Sequence, residues 1–188
     1  MNFLLYFAHH VFSAVFVLYA GLRYGWGPWQ VGMLLAMVGV LDMIVQGVLV
    51  GPVAKKLGDR MTMILGLCGG TIGIALMGWA PTGVAFILAM LPNALWGLAM
   101  PTLQSLMTRR VSESEQGQLQ GANMSVASIA GVASPLFFGW VYSESVEQGM
   151  WAPNPGLAFY LAAGVLALAA LIGWITARRA ERDEVTVV

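Results

Sequence analysis

The chain has 188 residues, 59% of them hydrophobic and only 10% charged, and its formal net charge is zero. A soluble domain carries about a quarter charged residues, so this composition excludes an ordinary soluble globule, and the neutral balance excludes the basic footprint of a nucleic-acid binder. A single cysteine, Cys68, excludes an intrachain disulfide and any multi-cysteine metal site.

The mean hydropathy of +0.76 comes from long apolar runs, and a spanning helix needs about 20 such residues. The first run, 3–22, is too long for a secretory signal core and has neither a basic leader nor a small-residue cleavage site. Asn2, Tyr6, His9 and Ser13 recur at helical spacing and share one face. His9 and His10 point about 100° apart on a helix, which makes them a poor chelating pair. An imidazole hydrogen-bonded inside a bundle and a proton relay both fit them.

The second run, 30–53, holds Asp42, the one carboxylate within any run, with Gln46 a turn later on the same face. An acid in hydrocarbon marks an ion or proton pathway unless a neighbouring helix neutralises it. A short basic segment with Lys55, Lys56 and Arg60 leads into the third run, 61–80, where Gly66/Gly70 and Gly69/Gly73 form overlapping G-x-x-x-G pairs that suit close helix packing. The fourth run, 84–106, carries Asn93, Gly97, Met100 and Gln104 on one face, interrupted by Pro92 and Pro101, as in helices kinked beside a cavity. The fifth, 118–141, lines up Gln118, Gly121, Ser125, Ser128 and Pro135, which suits either cavity lining or close packing. The sixth is 157–177, followed by a tail, 178–188.

Six spans place Lys55, Lys56, Arg60, Arg109, Arg110, Arg178, Arg179 and Arg182 on one side, leaving only Arg23 of the nine basic residues on the other. Basic loops face the cytoplasm, so both termini are expected there, in the inner (plasma) membrane. The segment 142–156 has Glu144 and Glu147 but no Lys or Arg, and Trp26, Trp29 and Trp151 fall at the opposite boundaries, where indoles favour the interface. The chain contains no phosphate-binding loop, no nucleophile elbow and no H-E-x-x-H. Neither enzymatic activity nor a cofactor or metal is expected.

The segment from Gly51 through Gly58, Asp59 and Arg60 resembles the loop signature of major facilitator transporters, with Lys55 at its usual acidic position. Met100-Pro101-Thr102-Leu103-Gln104 with Arg109-Arg110-Val111, Gln116-Gly117-Gln118-Leu119-Gln120-Gly121, Pro135-Leu136-Phe137-Phe138 and Tyr24-Gly25-Trp26 are similar to blocks of the tetracycline-efflux family. The resemblance implies an all-α integral membrane protein: the C-terminal six-helix half of a twelve-helix transporter, built as two inverted three-helix repeats. It implies proton-coupled efflux of an amphipathic organic drug, with a separate N-terminal six-helix half as partner. Asp42, His9 and His10 are then the proton-coupling candidates. Tyr6, Gln46, Asn93, Gln104, Gln118, Ser125 and Ser128 are the cavity candidates, and Gly51, Gly58, Asp59 and Arg60 form a gating loop. Relatives carry a His where this chain has Asp42, four residues before the Gln that matches Gln46, and an Asp in the ninth helix where it has Gly70. The competing expectation is a membrane subunit or truncated product that does not transport alone; a six-span channel homodimer lacks a filter-like loop.

Overall fold

The computed structural model describes residues 1–146 and 153–186, so Glu147 and Trp151 lie outside the described residues, as do the side chains of Arg178, Arg179 and Arg182. Every regular element among the described residues is helical. The first apolar run forms α1 (Asn2–His9) and α2 (Val11–Tyr24), joined at His10, which keeps near-helical dihedrals. Gly25 ends α2 in the left-handed conformation, and the amides of Gly25 and Trp26 bond back to the carbonyls of Gly21 and Ala20 at 3.0 and 3.3 Å, closing the helix end as a glycine cap does. Pro28 opens α3 (Pro28–Ile44) at the one position where its missing N–H costs nothing. The Gly27 amide donates to Gln30 Oε1 at 3.1 Å.

A π-helical turn, Val45–Leu49, follows and leads into α4 (Val50–Trp79). The stretch Pro28–Trp79 runs 52 residues, about 78 Å if straight, more than twice a bilayer core of about 30 Å. It is broken at Gly58, whose φ of 78° and ψ of 157° leave the helical region for one that essentially only glycine occupies. Gly51, expected in a loop with Gly58, is instead helical and exposed; the helix runs on through the basic residues, and the bend falls on Gly58 alone.

Thr82 caps α5 (Gly83–Ala94), its Oγ1 accepting the Ala85 amide at 3.2 Å, the usual way a free first-turn donor is satisfied. Between Pro92 and Pro101 the helix tightens into a 3₁₀ turn, Leu95–Leu98, before α6 (Ala99–Thr108); prolines remove ladder donors and so favour such local rewinding. Two long helices complete the chain, α7 (Gln116–Val146) and α8 (Leu157–Thr186). Among the described residues, five helices are long and apolar enough to cross a membrane: Asn2–Tyr24, Pro28–Trp79, Gly83–Thr108, Glu113–Val146 and Leu157–Thr176.

The core lies where α4 packs on α5, α6 and α8, and where α1 and α2 pack on α7 and α8. The α4 glycines act there by being small. A Cβ on Gly66 would stand 2.8 Å from the Ala99 amide and one on Gly69 2.9 Å from the Pro92 carbonyl, while Gly73 lies against the backbone of Asn93. Tyr19, Phe86 and Phe159 form a fully buried aromatic cluster, and the Tyr19 hydroxyl donates to the Met77 carbonyl at 3.1 Å. By contrast, α3 buries only Val31 and Leu34, and Met43 and Val48, like Val132 and Leu136 of α7, are exposed.

Candidate functional site: a cavity between the first, second and fourth apolar runs

A cavity of about 690 Å³ opens between α1, α3 and α5, within the range of drug-sized binding sites. Tyr6, His9 and His10 line it from the first run, Asp42 and Gln46 from the second, and Asn93 and Trp96 from the fourth. Six of the ten polar candidates for proton coupling and cavity lining therefore meet in one place.

The geometry follows from two helices that run the same way. α3 packs against α5, and the π turn packs against the 3₁₀ turn. They cross at Gly97, where an added Cβ would stand 3.1 Å from Val45 Cγ1 and 3.5 Å from Gln46 Cγ. Asp42 precedes Gln46 by four residues, and Asn93 precedes Gly97 by four. Both therefore sit at one level, about 6 Å along the axis from the crossing, on the walls of the same cavity.

Asn93 is held from behind by Gly73, and its Oδ1 is buried and accepts no hydrogen bond. A buried acceptor left unmade costs about 1–3 kcal/mol. The His9 ring meets Trp96 edge-on, with centroids 5.3 Å apart. Trp96 also fills the space beside Gly70, where a Cβ would lie 3.0 Å from Trp96 Cβ and 2.9 Å from Leu166 Cδ2. The position that the resemblance sets against an acid is thus packed shut.

Gln104 lies elsewhere, in an amide network toward the basic end. Asn2 Nδ2 donates to Asn123 Oδ1 at 2.8 Å, and Asn123 Nδ2 lies 3.4 Å from both the Tyr6 hydroxyl and Gln104 Oε1. Asn123 is buried and was not singled out from sequence. The signal was there: an amide in an apolar run is expensive unless bonded. Gln118, Ser125 and Ser128 are exposed. The two serine hydroxyls donate to carbonyls of their own helix, Gly121 and Met124, each at 2.9 Å.

At the basic end, Asp59 Oδ2 accepts from Arg109 Nη2 at 3.0 Å and from Ser105 Oγ at 2.8 Å, tying the helix after Gly58 to the end of α6. Thr62 Oγ1 bonds the Gly58 carbonyl at 2.8 Å. Arg60 and Arg110 line a second, smaller cavity of about 490 Å³.

Residues 1–187 match the family model described as Major Facilitator Superfamily. The chain is 31% identical over 134 residues to the class H tetracycline resistance protein of Pasteurella multocida, covering 71% of this chain and 34% of that protein. It is 33% identical over 139 residues to the class G protein of Vibrio anguillarum, covering 74% and 35%. Against the class B protein of Escherichia coli it is 32% identical over 149 residues, covering 79% and 37%. The chain thus spans about a third of the length of these curated relatives. It is a membrane protein with several spanning helices, and it belongs to the Major Facilitator Superfamily.

Proposed function

We propose that the chain is the C-terminal half of a secondary active transporter that exports an amphipathic organic drug, tetracycline-like or other, in exchange for protons. The cavity carries this reading. An acid and two imidazoles stand in apolar helices around a space large enough for such a drug, and intramembrane ionisable groups of that kind mark substrate and proton pathways. The similarity to three tetracycline resistance proteins supports the same class of work.

On this reading the chain crosses the bilayer six times, because Gly58 divides the 52-residue helix into two spans. The six form two inverted repeats of three, with the binding region near the midplane between halves. The basic end is cytoplasmic, both termini lie there, and the membrane is the inner (plasma) membrane. A separate N-terminal six-helix half supplies the other wall.

The test is tetracycline uptake into inverted vesicles that contain both halves. Accumulation driven by an inside-acid gradient and abolished by a protonophore is expected. Vesicles that bind the drug without concentrating it would support the competing reading, a membrane subunit that does not transport.

A further inference from the structure

The smaller cavity at the basic end, about 490 Å³ in volume, has two zones. Arg60 of α4 and Arg110, in the turn that ends α6, line one of them; Met63, Leu103, Leu106 and Ile172 line the other. The two arginines share a level, because each follows by one residue a member of the Asp59–Arg109 ion pair. The Asp59 carboxylate is taken up by Arg109 and Ser105, and among the described residues no acid lines the cavity.

Inward from that level the walls turn apolar. Met63 lies three residues into α4 from Arg60, and Leu103 lies about 8 Å along the axis from Thr108, where α6 ends. Gly173 of α8 keeps the inner part open. A Cβ there would stand 3.1 Å from Met63 Cε and 3.4 Å from Met1 Sδ, and both neighbours are flexible methionine tips. Two of the lining residues, Phe3 and Arg110, are exposed, so the cavity opens outward. We propose that this cavity binds an anionic phospholipid of the surrounding bilayer, its phosphate against Arg60 and Arg110 and the first part of one acyl chain along Met63, Leu103 and Ile172. Membrane residence is enough for this; the transport reading is not needed.

Each zone excludes an alternative. A soluble anion such as inorganic phosphate satisfies the arginines but leaves the apolar walls uncovered. A neutral lipid covers the walls and offers the guanidiniums no charge. A zwitterionic lipid brings its own cation to the arginines. A guanidinium presents a planar fork of donors that fits phosphate oxygens, and basic pockets between spanning helices hold anionic headgroups in this way. Lys55 and Lys56 lie on the same helix, exposed and outside the cavity, and they separate a built site from general attraction to an anionic leaflet.

The experiment uses the intact protein purified in detergent, with phosphatidylglycerol carrying a pyrene on its acyl chain as the probe. Unlabelled phosphatidylglycerol is expected to displace it about ten-fold or more effectively than phosphatidylcholine, while glycerol phosphate and inorganic phosphate do not displace it. Arg60→Gln and Arg110→Gln are each expected to weaken probe binding about five-fold. Gly173→Leu, which fills the inner zone without touching charge, is expected to weaken it about ten-fold or more, and Lys55→Gln and Lys56→Gln to leave it unchanged. Equal displacement by the two lipids, or losses in the lysine variants as large as in the arginine variants, means a diffuse basic surface and overturns the proposal. Displacement by glycerol phosphate as strong as by phosphatidylglycerol, or wild-type affinity in Gly173→Leu, removes the acyl chain from the cavity and overturns it too. Binding needs no gradient, so vesicles that fail to concentrate tetracycline would sink the transport reading and leave the lipid site standing. Gradient-driven uptake with no preference among lipids would do the reverse.

Discussion

Trp96 and Gly70 show how a single small residue sets the chemistry of a site. Glycine at 70 leaves just enough room for Trp96 and Leu166 to close over it, and Trp96 in turn is the surface against which His9 rests. Gly70→Asp, the acid that the resemblance sets at this position, pushes a carboxylate into packed apolar atoms. It is expected to cost about 3 kcal/mol or more and to lower the thermal midpoint of the detergent-solubilised protein by several degrees. An unchanged midpoint would mean that the space is not closed. Asp42, His9, Gln46 and Asn93 were legible in the sequence as polar residues stranded in apolar runs, because hydrocarbon makes each of them costly unless it faces a cavity or partner. Trp96 was not legible. An indole within a span reads as packing, and only the three-dimensional approach to Gly70 and His9 gives it a part. Ser125 and Ser128 stay open between close packing and cavity lining: their hydroxyls bond to their own backbone, as serines on a helical stripe do as readily as they line a cavity.

Among the elements, the bend at Gly58 organises the basic end. Its dihedrals suit glycine alone, so Gly58→Ala is expected to destabilise by about 1–3 kcal/mol. Gly51 is helical and open to its surroundings, with nothing within 4 Å of an added Cβ, so Gly51→Ala is expected to stabilise by about 0.5–1 kcal/mol. Thermal unfolding of the two variants side by side checks the assignment of the bend, and equal effects would contradict it. The ion pair below the bend is asymmetric, with the Asp59 side chain 13% exposed and that of Arg109 71%. Arg109→Ala is therefore expected to cost less than about 1 kcal/mol. Asp59→Ala, which also strands Ser105, should cost more in the same measurement. The glycine signature and the basic cluster pointed to this segment from sequence. The extent of the helix did not, because Lys55 and Lys56 are good helix formers that composition alone places in a loop.

For the whole molecule, the unequal burial of the helices is the informative feature. α4 and α8 are packed on several sides, whereas α3, the π turn after it and α7 leave wide apolar faces uncovered, including Met43, Val48, Val132 and Leu136. A second six-helix half seated over the cavity would cover part of those faces. Single cysteines at Met43 and Leu136 are expected to be protected from a membrane-permeant thiol reagent when both halves are co-expressed, and labelled when this chain is expressed alone; equal labelling would remove the argument for that partner. The account turns most directly on Asp42, and Asp42→Asn preserves size while removing titration. Measured in inverted vesicles holding both halves, the variant is expected to lose accumulation of tetracycline against its gradient under an imposed pH difference, while retaining downhill exchange of preloaded drug. Accumulation at the wild-type level would contradict proton coupling at this residue.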